Sequence, residues 1–168
     1  MSDKFNDRFK GICNQYLDVL SKYIIKYEAL ENDFPVGVMN EIRATFTHIA
    51  KMVTCDNPAQ QEKELTNAEG HIKRAIRDCY KYNCVSFERR YSLFHSNFVK
   101  EQYNAETLIK IEQEHDEAIK YLVLARTKEI SGVSSLNPDD VDKQEYNNYI
   151  QAISHFETMY DLIHSSKK

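Results

Sequence analysis

Leu65-Thr66-Asn67-Ala68-Glu69-Gly70-His71-Ile72-Lys73-Arg74-Ala75-Ile76-Arg77-Asp78-Cys79-Tyr80-Lys81-Tyr82 is the stretch that decides the fold. Its apolar members Leu65, Ala68, Ile72, Ala75, Cys79 and Tyr82 recur at alternating steps of three and four. That period lays a seam along one helix face and demands a neighbouring helix to cover it. Just upstream, Thr54-Cys55-Asp56-Asn57-Pro58 is turn chemistry. Before the turn, Ile42, Phe46, Ile49 and Val53 give a second helix its apolar stripe. A short turn between two such helices predicts a long antiparallel hairpin.

The same period extends in both directions and predicts an all-α fold, an elongated bundle of about five helices in a single domain, residues 1–168. The first helix runs from about Asp3 to Leu30 on Ile12, Tyr16, Val19, Tyr23 and Tyr27, and Asn32-Asp33-Phe34-Pro35 breaks it. The second spans Pro35 to Val53 with Asp33 as its expected cap. The third starts at Pro58 and continues toward Val99. Its stripe shifts to Phe87, Tyr91, Phe94 and Phe98, which predicts a bend or break near Asn83–Ser86. Gly70 marks either a mild penalty or a close helix approach. The fourth runs from Asn104 to Ile130 on Leu108, Ile111, His115, Ala118, Ile119, Leu122 and Ala125, with Gly132 as its cap. The fifth opens at Pro138, capped by Asn137, on Tyr146, Tyr149, Ile150, Ile153, Phe156, Tyr160 and Ile163.

The composition narrows the function classes. Four glycines and three prolines are too few for a sandwich or barrel. A net charge of −4 excludes a uniformly basic nucleic-acid binder. The charge is uneven: Lys73, Arg74, Arg77, Lys81, Arg89 and Arg90 face only Asp78 and Glu88 between positions 71 and 90. Positions 101–117 hold six acids and one lysine. Cys13, Cys55, Cys79 and Cys84 form no C-x-x-C, and no spacing matches a zinc site. Free thiols, no metal, no cofactor, no membrane segment and a cytoplasmic setting are the expectation.

The polar groups beside the stripes carry what chemistry the chain offers. In the hairpin, positions summing to about 114 lie level, so Arg43 meets the level of His71 and Asn40 that of Arg74. His71, Arg74 and Asp78 share a helix face. Two arrangements fit. Arg43, Arg74 and Arg77 would hold phosphate oxygens, with His48 or His71 as general acid or base. Alternatively Glu41 and Asp78 would pair the arginines and tie the hairpin together. His115 interrupts an apolar stripe and reads as a core histidine, whereas His95, His155 and His164 join no constellation.

Arg43-Ala44-Thr45-Phe46-Thr47-His48 resembles the R-x(4–6)-H motif of the HEPN domains (higher eukaryotes and prokaryotes nucleotide-binding). The wider pattern Glu41-Ile42-Arg43, His48-Ile49-Ala50, then Ala68, His71-Ile72, Arg74-Ala75 and Asp78 is similar to small bacterial helical proteins. The resemblance covers residues 40 to 80. It implies a dimeric, metal-independent ribonuclease of a prokaryotic stress or defence system. His48 would move the proton of the attacking 2′-hydroxyl and Arg43 would stabilise the phosphate charge. The basic segment from Lys73 to Arg90 would carry the strand, and Tyr80, Tyr82 or Tyr91 would stack on bases.

Two function classes therefore stand. One is this ribonuclease, with RNA or a nucleotide as ligand. The other is a non-catalytic helical interaction or dimerisation module, a regulatory subunit with a partner protein, whose polar hairpin network is architectural. Self-association, as a dimer, is expected of both.

Overall fold

A computed structural model describes residues 3–96, 103–131 and 138–165. The elements are α1 (Asp3–Asn14), a π-helical segment (Gln15–Leu20), α2 (Ser21–Glu31), α3 (Val36–Thr54), α4 (Pro58–Ser96), α5 (Ala105–Ser131) and α6 (Pro138–Ser165). Among the described residues there is no strand, so the chain is an all-α helical protein. The expected caps Gly132 and Asn137, and the end of the third helix beyond Ser96, lie outside the described residues.

The first expected helix is one run of helix interrupted by a π-helical turn. A π turn adds a residue and rotates the faces around it. The buried positions are Ile12, Leu20 and Ile24, while Tyr16 and Leu17 point to solvent. The run ends because Asn32 adopts the left-handed conformation (φ 52°) and its N–H caps the Glu28 carbonyl at 2.8 Å. Asparagine enters that region more readily than residues with bulkier side chains.

Helix α3 begins at Val36, later than expected, and Asp33 does not cap it. The Asp33 carboxylate instead accepts from the Phe34 N–H at 2.7 Å, leaving Pro35 to lead into the first turn. After the next loop, Asn57 Oδ1 accepts from the N–H groups of Ala59 (2.9 Å) and Gln60 (3.3 Å), with Pro58 in the first helical position. That is an N-cap with proline placed where its missing N–H costs nothing. Asn104 Oδ1 does the same for α5 through the Thr107 N–H at 2.8 Å.

Helix α4 runs unbroken through residues 83–86, against the expected bend. The stripe shifts because the buried face changes, and Asn83, Cys84, Ser86 and Phe87 are all sealed while Val85 is exposed. Gly70 is not a close approach: a Cβ there would meet only the tip of the Arg74 side chain, at 3.4 Å. Gly37 is the tight position, where a Cβ would lie 3.1 Å from the Tyr82 hydroxyl.

The contacts cluster into two compact units, Met1–Tyr82 and Asn83–Lys168. In the first, the α4 seam is buried as expected, with Leu65, Ala68, Ile72, Ala75 and Cys79 in the core beside Val38, Met52 and Tyr80. Tyr23 meets Tyr80 edge-on at 4.7 Å, and Tyr27 meets Tyr82 at 5.4 Å. Arg8 ties the start of α1 to α4: its Nε and Nη2 reach the two Glu69 oxygens at 2.8 and 2.7 Å, and its fork also bonds Glu62 and Thr66. The Glu69 hydrogen bond, above all, raises the guanidinium pKa against the opposing effect of burial.

In the second unit α5 and α6 pack against each other. Ile111, Ala118 and Ala125 of α5 face Tyr149, Ile153, Phe156 and Met159 of α6 in a sealed core. Phe87 stacks on Phe156 at 5.9 Å, and the Tyr103 hydroxyl donates to the Ile163 carbonyl.

Candidate functional site

Helix α3 carries two stripes, both at steps of three and four. Val38, Glu41, Thr45, His48 and Met52 form one, and Met39, Ile42, Phe46, Ile49 and Val53 form the other. The expectation that the second, more apolar stripe is buried in the chain is corrected. Val38, Thr45 and Met52 are sealed, whereas Phe46 is 70 % exposed, Val53 60 % and Met39 43 %. Glu41 and His48 of the first stripe find partners on α4, while the Thr45 hydroxyl donates to the Glu41 carbonyl, and the two α4 pairings fix how α3 is rotated about its own axis.

His48 Nδ1 lies 2.5 Å from Glu64 Oε2 on α4. Glu64 is buried, and Gln60 Nε2 donates to its other oxygen at 2.5 Å. The hydrogen bond from His48 outweighs burial and holds the Glu64 carboxyl below its ordinary pKa. Two turns further along α4, His71 Nδ1 lies 2.7 Å from Glu41 Oε2, and Arg74 Nε donates to the same oxygen at 3.1 Å. Burial alone would raise the Glu41 carboxyl, but the hydrogen bonds from His71 and Arg74 hold it below its ordinary value. Arg74 Nη2 also stands 2.7 Å from His71 Nδ1. That nitrogen accepts from Arg74 when the lone pair is there and donates to Glu41 when it carries the proton. The two imidazoles stack with centroids 5.0 Å apart and planes 21° apart.

The arrangement is therefore a double His–Glu clasp between α3 and α4. The predicted hairpin register is close: Glu41 with His71 and His48 with Glu64 each sum to 112. Glu41 does pair Arg74, as the architectural alternative expected. Asp78 instead lies 3.7 Å from Lys81 on its own helix, and Arg77 is half-buried on α4. Arg43 is not brought to the helix contact; it is exposed on the outer flank of α3, with no recorded side-chain bond among the described residues. Tyr80 is buried.

Sequence reasoning missed how general the clasp is. In the second unit His95 Nε2 lies 3.0 Å from Glu112, His115 Nε2 3.0 Å from Glu88, and His155 Nδ1 2.7 Å from Glu114. His115 also stacks on Tyr91 at 3.6 Å, and the Tyr91 hydroxyl donates to Glu112 at 2.5 Å. Burial first, then that hydrogen bond, raises the Tyr91 pKa. Burial pushes the Cys79 and Cys84 thiols up to about 12, leaving them protonated and unreactive at neutral pH. Among the described residues no group of three or more His, Cys, Asp or Glu is arranged to hold a metal ion, and no helix is long and apolar enough to cross a membrane.

The second α3 stripe borders an apolar cleft of about 350 Å³. Ile42, Phe46 and Ile49 form one wall, Ile12, Tyr16 and Leu17 the other, and Ile72 of α4 lies among the lining residues. Leu17 is 62 % exposed on the rim, held outward by the π-helical turn. Cleft and stripe form one apolar surface running along α3.

Compared with protein-family models, with curated proteins and with solved structures, the chain matches none.

Proposed function

We propose that this chain is a non-catalytic helical interaction module, and that the outward stripe of α3 with its adjoining cleft docks an amphipathic helix. The observation that carries the reading is the exposure of Met39, Phe46 and Val53 at heptad spacing on an α3 whose other stripe is satisfied within the chain. A contiguous apolar surface of this kind marks an interaction site. Helix-in-groove recognition uses anchors at this spacing. Phe46 is the natural anchor, since a few buried aromatics carry most of the energy of such contacts. The His–Glu clasps are architecture in this reading: they hold α3 in the rotation that presents the stripe.

The test is a photo-cross-linking residue at position 46, in cells making the protein, with the same residue at exposed Lys63 of α4 as control. Adducts from position 46 and none from position 63 are expected. No adduct from position 46 overturns the docking surface.

A second reading, the metal-independent ribonuclease, has one observation in its favour. Glu64 binds Nδ1 of His48 and leaves Nε2 for proton transfer, as a carboxylate orients a catalytic histidine, and Arg43 is open on the same helix. RNA cleavage in EDTA, lost in both His48→Ala and Arg43→Ala with folding intact, would replace the interaction module with the enzyme.

A further inference from the structure

We propose that the partner of α3 is a second copy of this chain, packed α3 against α3, antiparallel, about a two-fold axis. This rests on the reading of the α3 stripe as a docking surface and names what occupies it.

The surface carries both halves of a contact. Phe46 projects from it as a knob, 70 % exposed, and the cleft between Ile49 and Leu17 beside it is the hole. A surface that is its own complement closes as a symmetric dimer. The stripe also reads the same in both directions. In an antiparallel pair whose level positions sum to 95, Ile42 lies opposite the partner's Val53 and Phe46 opposite the partner's Ile49. The two-fold axis repeats both layers. All four layers are apolar, and no charged residue falls in the seam.

Charge selects the orientation. Glu41 and His48 are engaged with α4, and Lys51 projects from the side of α3 opposite the seam. Arg43 is thus the only charged residue of α3 that flanks the seam. An antiparallel pair joins like flanks, so the two apolar clefts share one side and the two Arg43 flanks the other. The partner's Arg43 then lies level with Met52, about 13 Å along the axis from Arg43 at 1.5 Å per residue. That exceeds the Debye length of about 8 Å at physiological salt, so the cations scarcely repel. A parallel pair would set the Arg43 flank of one copy against the apolar cleft of the other. It would press a guanidinium onto the apolar lining of the cleft, which is unfavourable.

The experiment uses the full chain. Sedimentation velocity over a wide concentration series should give a reversible dimer. Phe46→Asp should weaken it by about 30-fold or more, the loss typical of an anchor residue, with helicity unchanged by circular dichroism. In a background of Cys13→Ser and Cys55→Ser, Ile42→Cys and Val53→Cys are then made separately. On mild oxidation the mixture of the two should form a disulfide-linked dimer, and neither alone should. Linkage within each variant alone, with no disulfide between the two variants in the mixture, overturns the antiparallel pairing. A native chain that sediments as a monomer throughout overturns self-association. If position 46 still cross-links another protein in that case, the docking surface survives and only the choice of partner fails. If it cross-links nothing, both fall.

Discussion

Glu41 is the residue whose chemistry is most exposed to test. It accepts from His71 and Arg74 while partly buried, and those bonds hold its carboxyl below the ordinary value of 4.5. A carboxylate with a depressed folded pKa contributes stability that is present above its unfolded pKa and lost as pH falls through the folded value. Glu41→Gln should cost about 1–2 kcal/mol at pH 7 by urea unfolding, the scale of a charge-assisted hydrogen bond discounted for partial exposure. The gap between native and variant should narrow as pH falls below 4.5; parallel pH profiles would show that the clasp is not electrostatic. Gly70 offers a test of opposite sign. With only the flexible tip of the Arg74 side chain in contact at its Cβ, at 3.4 Å, Gly70→Ala should raise stability by up to about 1 kcal/mol in the same assay, and a loss would show that the new methyl displaces Arg74 from Glu41. At this scale the sequence was legible only in part. The hairpin register brought Arg74 to the level of Asn40, one residue from its partner Glu41, because two helices joined by a tight turn have one free parameter; that Glu41 pairs an arginine was one of two open arrangements. Arg8 with Glu62 and Glu69 did not, because nothing local ties α1 to a particular level of α4.

Helix α4 carries the reading at the scale of elements. Its period changes near Asn83, and a change of period has two causes, a broken axis or a new buried face. Sequence alone does not separate them; the burial of Asn83, Cys84 and Ser86 beside an exposed Val85 decides for the second. Val85→Gly should then be less stable than Val85→Ala by about 1 kcal/mol, the helix-interior difference between those residues, measured by urea unfolding. Equal stabilities would mean the axis breaks there after all. Helix α3 shows the opposite failure. The usual rule puts its most apolar stripe in the core, and the rule fails because Glu41 and His48 of the other stripe have partners on α4. The α5 and α6 stripes were legible at Ile111, Ala118, Ala125, Tyr149, Ile153, Phe156 and Ile163, whereas Ile150 is exposed and the sealed Ala152 and Met159 were not in the expected stripe.

For the whole molecule the recurring theme is the His–Glu pair between helices, seen for His48, His71, His95, His115 and His155. None of these pairs has a sequence signature, because each joins residues whose spacing is set by tertiary packing. Their consequence is specificity of helix rotation, and on α3 that rotation turns an apolar stripe outward. The central claim is that this stripe belongs to a partner and not to the chain's own core. Two substitutions on the one helix test it most directly: Phe46→Ala and Met52→Ala, compared by urea unfolding at a dilution where any dimer has dissociated. Exposed Phe46 should cost no more than about 0.5 kcal/mol, and sealed Met52 about 2–5 kcal/mol. The reverse order, a large loss at Phe46 and little at Met52, would put the apolar stripe in the core and contradict the account.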